Sequence, residues 1–91
     1  MAMMAVKVEI DEERLVQTLQ EAGENLDCAT GEVVLDFSSV LRIDASALRG
    51  MEEFVRIADD KCIEVVLRDV NVSVYKVLKL VRLASRFSYL S

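Results

Sequence analysis

Apolar and polar positions alternate in two periods along this chain, and the switches between them mark its elements. Ala5-Val6-Lys7-Val8-Glu9-Ile10 alternates apolar with charged residues, the pattern of a half-exposed strand. Asp11 is then placed to cap a helix in which Leu15, Val16, Leu19 and Ala22 recur at helical spacing. Glu12 and Glu13 favour its first-turn dipole and Gly23 offers a stop. Residues 24–31 read as a loop, and Glu32 to Phe37 as a strand buried on both faces at the sheet centre. Between Asp44 and Asp60, Leu48, Met51, Phe54, Val55 and Ala58 share one helical stripe. Arg49, Glu52, Glu53 and Arg56 lie off it, with Glu52 and Arg56 ordered as an i, i+4 pair. A strand follows from Cys62 to Leu67, then a tight connection at Arg68-Asp69-Val70. Asn71 caps a helix from Val72 to Ala84 whose buried face is Val74, Val77, Leu78 and Val81, and Phe87 to Leu90 forms a last strand.

Strand and helix thus alternate from end to end, which predicts an α/β fold with a mainly parallel sheet and right-handed crossovers. Functional residues in such folds lie at the carboxyl ends of the strands, and residues 38–48 lie at one. There Val33 to Leu48 reads as an apolar strand, a Ser38-Ser39 turn, and a short apolar step into Asp44, which opens a helix. A helix N-terminus leaves unpaired N–H groups, so Asp44 to Leu48 is the expected working end.

Size and composition narrow the classes. Ninety-one residues that are 53% hydrophobic make one domain, expected to fold without metal, disulfide or other cofactor. No apolar run approaches the ~20 residues of a membrane span, and Met1 to Ile10 lacks the basic start and long apolar stretch of a signal peptide, so a cytoplasmic location is expected. The chain has no histidine, which excludes His-containing zinc sites and Cys-His or Ser-His-Asp nucleophiles. Cys28 is read as a reduced thiol in a loop and Cys62 as one packed at a strand start, with a disulfide as the alternative. Residues 1–60 carry 14 acids against 5 bases, and residues 61–91 carry 6 bases against 2 acids, giving the net −5. An acidic total argues against nucleic-acid binding. Lys76, Lys79, Arg82 and Arg86 nevertheless form a basic stripe, either a solvated helix face or a partner surface.

Glycines 23, 31 and 50 are isolated, so no phosphate loop or dinucleotide fingerprint is present. Asp36 and Asp44, both near strand ends, could serve as an acid/base pair or magnesium ligands. Their structural alternatives are an Asp36 that orders the Ser38-Ser39 turn and an Asp44 that caps a helix. Ser46 is either an ordinary first-turn hydroxyl or a regulated one, since phosphate is favoured at a helix N-terminus.

The stretch Val-Val-Leu-Asp-Phe-Ser-Ser-Val-Leu-Arg-Ile-Asp-Ala-Ser-Ala-Leu resembles the signature of STAS domains, the sulfate-transporter and anti-sigma-factor-antagonist family. The likeness continues through Ile63-Glu64-Val65-Val66-Leu67, Val70-Asn71, Val74, Leu78 and Leu80 to Phe87, about residues 32–90. It implies a four- to five-stranded, mainly parallel sheet with helices packed mainly on one face, and a protein-docking role with no catalysis. In antagonists of this family a serine after the aspartate is phosphorylated by the anti-sigma kinase, which abolishes binding; the matching position here is Ala45. The family's second serine matches Ser46, while Ala47 and Arg49 replace glycines. The segment from Val65 to Leu80 is also similar to the STAS subunit of phospholipid-transport ABC transporters, which docks on the transporter ATPase.

The resulting expectation is a STAS module that binds a protein through Asp44, Ala45, Ser46, Ala47 and Leu48, with Arg49, Glu52, Glu53 and Arg56 as rim contacts. The partner would be an anti-sigma factor with serine kinase activity or, alternatively, an ABC transporter ATPase. Nucleic acid, membrane insertion, metal and obligate small molecule are not expected. The rival of another class is a small enzyme or ligand carrier using Asp36, Asp44 and Ser46.

Overall fold

The computed structural model describes residues 4–26 and 30–90. β1 (Met4–Glu9) leads through a 3-10 turn (Glu12–Arg14) into α1 (Leu15–Glu24). β2 (Thr30–Asp36), α2 (Ala45–Asp60), β3 (Glu64–Arg68) and α3 (Val72–Leu80) follow, and a second 3-10 turn (Ala84–Arg86) precedes β4 (Ser88–Leu90). The four strands form one sheet in the order β1-β2-β3-β4, every pair parallel. With spatial order following chain order, the right-handed crossover rule puts every connecting helix on the same face.

The strand register matches this arrangement. Val6, Val33 and Val65 align across three strands, as do Val8, Leu35 and Leu67. These rows meet Leu15, Leu19, Met51, Phe54, Val55, Val74 and Leu78 from the helices in one core. On the other face Lys7, Val34, Val66 and Ser88 form one row and Glu9, Asp36, Arg68 and Leu90 the next. β2 is therefore covered on one side only, contrary to the expectation from its unbroken apolar run, and Val34 is half-buried. Val66 alone is buried there, at 4% exposure, flanked in register by Val34 and Ser88.

Both glycine-poor helix ends close in the same way. After α2, Ile63 N–H donates to the Ala58 carbonyl at 2.9 Å and Cys62 N–H to Asp59 at 3.0 Å. After α3, Leu83 N–H donates to Leu78 at 2.8 Å and Arg82 N–H to Lys79 at 3.2 Å. These are Schellman pairs, and the left-handed residue each requires is Cys62 (φ 57°) or Arg82 (φ 63°) where glycine is usual. The motif stops α3 at Leu80 instead of Ala84, leaves Val81 exposed outside the helix, and returns Leu83 to the core. It also corrects the placement of Cys62, which is exposed in the turn before β3. Cys28, and with it the disulfide alternative, lies outside the described residues. Gly23 does not stop α1. It sits inside the helix against α2, where a Cβ would lie 3.2 Å from Ile57 Cδ1, and Asn25 closes the helix instead.

A side chain at φ 57° carries a steric cost that glycine lacks. Cys62→Gly should therefore stabilise the protein by about 0.5–1 kcal/mol, raising the melting temperature by several degrees in differential scanning calorimetry. A lowered melting temperature would show that the Cys62 side chain makes a compensating contact.

Candidate functional site

The carboxyl end of β2 is built from two buried anchors with a polar tip between them. Phe37 and Val40 are fully buried; Phe37 N–H donates to the Arg68 carbonyl at 2.9 Å and Val40 N–H to the Phe37 carbonyl at 3.0 Å, closing a turn over Ser38 and Ser39. Asp36 holds that turn, its Oδ1 accepting from Ser38 N–H at 2.9 Å. The Ser38 backbone and hydroxyl bonds hold the Asp36 carboxyl below its usual range.

Residues 41–44 lead the chain from Val40 into α2. Leu41 N–H and Arg42 N–H both donate to Glu12 Oε1, at 2.7 and 2.9 Å. One carboxylate thus satisfies two successive N–H groups that no strand or helix serves, and fixes where α2 begins. The Arg42 and Leu41 backbone bonds, in that order, lower the Glu12 pKa. Sequence reasoning gave Glu12 only a helix-dipole role, because nothing local signals a partner some thirty positions away. Leu41, also missed, is 66% exposed at this loop. Asp44 then caps α2 as expected, its Oδ1 accepting from Ala47 N–H at 2.8 Å.

The structure separates the predicted docking residues by exposure. Ala45, Ser46, Arg49, Glu52, Glu53 and Arg56 are exposed along one side of α2, and Leu48 is half-buried. Ala47 is only 5% exposed and packs into the core, which corrects its assignment as a contact residue. Arg56 pairs with Glu53, one residue nearer than the expected Glu52. Beside this side runs a groove of about 700 Å³ between α1 and α2, lined by Ser46, Arg49, Gly50 and Glu53 over a floor of Val16, Leu19 and Phe54. A Cβ on Gly50 would meet Leu19 Cδ1 and Val16 Cγ2 at 3.7 Å, ordinary contact. Packing therefore does not require this glycine, and its effect is to leave the groove deeper than alanine would.

Asp36, Asp44 and Ser46, the residues of the enzyme alternative, are not brought together. Asp36 borders a polar depression with Glu9, Asp11, Arg14 and Ser39; Asp44 borders another with Glu12 and Arg42; Ser46 faces the α1–α2 groove. Among the described residues no three His, Cys, Asp or Glu side chains are grouped to hold a metal ion, and no helix is long and apolar enough to cross a membrane.

The STAS domain family model matches residues 3–89. No curated protein matches the chain. Among solved structures, the crystal structure of a candidate anti-sigma factor antagonist from Thermotoga maritima, TM1081, superposes with a TM-score of 0.76. It is 18% identical, over 99% of this chain and 84% of that one. An NMR structure of TM1081 gives a TM-score of 0.77 at 18% identity, over 96% and 74%. At this identity the likeness establishes the fold.

The Glu12 clamp makes a pH prediction. Its pKa is lower folded than unfolded, so the stability it contributes is fully present above its ordinary value of 4.5 and is lost as pH falls through the lower folded value. Wild type should lose stability on acidification below that point, and Glu12→Gln should lose less over the same range in urea unfolding. Parallel acid profiles for the two proteins would show that the clamp does not couple to folding.

Proposed function

Since the chain belongs to the STAS domain family, we propose that it works by docking a protein at the Asp44-capped end of α2, in the manner of an anti-sigma-factor antagonist. The single observation that carries this reading is the exposed row Ala45, Ser46, Arg49, Glu52, Glu53 and Arg56 beside the α1–α2 groove. The row is charged and rigid, standing on a sixteen-residue helix whose opposite face is core. Its charges are of both signs, two acids between two arginines, which suits recognition of one partner surface more than nonspecific attraction. Leu41 adds an exposed apolar side chain in the loop that leads into α2. In this reading the partner is an anti-sigma factor with serine kinase activity, both proteins are cytoplasmic, and the domain itself performs no catalysis.

Regulation differs from the family pattern in this reading. Ala45, at the first helical position, offers a methyl group where the family carries its phosphorylated serine, so the phosphoryl acceptor passes to Ser46. A phosphate there, two positions along the chain from Asp44, adds about −1.5 to −2 charges to a groove already bordered by Glu53. The added charge would repel an acidic partner surface and release the complex.

Two measurements test these statements. The partner captured from native cells should bind Arg49→Glu at least about tenfold more weakly in calorimetry. The melting temperature should hardly move, because Arg49 is exposed and such surface changes stay within about 0.5 kcal/mol. Unchanged affinity would remove α2 from the interface, and capture of a transporter ATPase would assign the domain to lipid transport instead. Incubation with the kinase partner should place phosphate on Ser46 by mass spectrometry; stoichiometric phosphate on Ser38 or Ser39 would show that the switch lies in the β2 turn.

A further inference from the structure

Exposed apolar side chains are concentrated in one part of this molecule. Among the described residues seven large hydrophobics are exposed, and six of them, Val72, Tyr75, Leu80, Val81, Tyr89 and Leu90, fall between positions 72 and 90. On α3, Val72, Tyr75 and Leu80 share the outward side with Lys76 and Lys79, while Val74 and Leu78 face the core. Leu80 is 82% exposed. At the start of the helix, Val70, Val72, Tyr75, Tyr89 and Leu90 line a cleft of about 650 Å³ with Asp69 at its rim. Tyr75 and Tyr89 meet edge to face across it, centroids 5.4 Å apart. This cleft shares no lining residue with the α1–α2 groove.

Apart from Asp69 at the cleft rim, which lies beside Arg68, the charge on this segment is positive. From Val70 to Leu90 the chain holds Lys76, Lys79, Arg82 and Arg86 and no acid. Arg86 is paired with Asp59 of α2, whereas Lys76, Lys79 and Arg82 have no carboxylate partner among the described residues. An exposed apolar patch of this density on a small protein marks an interaction surface, and its flanking cations specify an anionic occupant.

We propose that the α3–β4 surface is a second docking site whose occupant is an acidic amphipathic helix of another protein. Such a helix crossing the Val72 and Tyr75 end of α3 places one apolar side chain in the tyrosine-walled cleft and sets its acids opposite Lys76, Lys79 and Arg82, with Leu80 beyond the lysines meeting a further apolar residue. A symmetric pair of these chains would bring the unpaired cations of both copies into one interface. The site is separate from the docking row on α2 and does not depend on it.

The test places a photoreactive benzoylphenylalanine at Leu80 in the whole chain, irradiates native cells, and sequences the cross-linked peptide by mass spectrometry. A second probe at Arg49 reports on the α2 surface independently. The Leu80 probe should capture a segment of another protein in which acids and apolar residues recur at helical spacing. Lys76→Glu with Lys79→Glu should lower that yield by on the order of tenfold or more and leave the Arg49 adduct unchanged. Both lysines are exposed, so the melting temperature should hold; if it does not, Lys76→Gln with Lys79→Gln replaces the pair. Only lipid adducts at Leu80, adducts to a second copy of this chain, captured segments without acids, no adduct, or a yield indifferent to the lysine charge would each overturn the proposal. Silence of the Arg49 probe alone would count against the α2 reading and not against this one.

Discussion

The parallel ladder between β2 and β3 is the constraint on which the rest of the structure depends. Val33 against Val65 and Leu35 against Leu67 fix the register of the two central strands, and a slip of one residue would turn each strand's buried set to the uncovered face. The same register sets the height at which Phe37 leaves the sheet, bonded to Arg68. From there the chain has only seven residues in which to turn, cross and start a helix. The buried side chains of Phe37 and Val40, the Asp36 and Glu12 carboxylates and the Asp44 cap remove its freedom step by step. The exposed row on α2 is therefore held by the core, although none of its members contributes to it.

What the sequence discloses of this arrangement is whatever is encoded within a few residues. Asp44 and Asn71 are legible as caps because a short polar side chain must accept from N–H groups two or three positions on, and both do so. Asp36 at the Ser38 turn is legible for the same reason. All four strands are recovered, β1 from its period-two alternation and the others as short runs between turns. Features set by distant contacts were hidden. Glu12 reaches across 29 and 30 positions to Leu41 and Arg42. The apolar run of β2 says nothing about whether a second layer covers it. Gly23 looks like a terminator until Phe54 and Ile57 are brought beside it.

Helix ends show the limit most clearly. A glycine announces a Schellman motif, and here Cys62 and Arg82 occupy the left-handed position instead, so the boundary of α3 was displaced by four residues. At the candidate site, exposure followed from the helical stripe for Arg49, Glu52, Glu53 and Arg56 but not for Ala47. Its small side chain gives no hydropathic signal strong enough to separate core from rim.

Strand order in space repeats strand order in the chain, and this bears on how the protein is made. As the polypeptide leaves the ribosome, N-terminal parts are free to fold first. In a sheet ordered β1-β2-β3-β4 each emerging strand meets an edge already assembled, and no strand must wait for a later one to insert beside it. Growth is by addition at one margin, with each crossover helix laid on the layer already begun. Synthesis in this order never opens a gap in the sheet, and the templates for mispairing are confined at any moment to the outer edge of β1 and the newest strand.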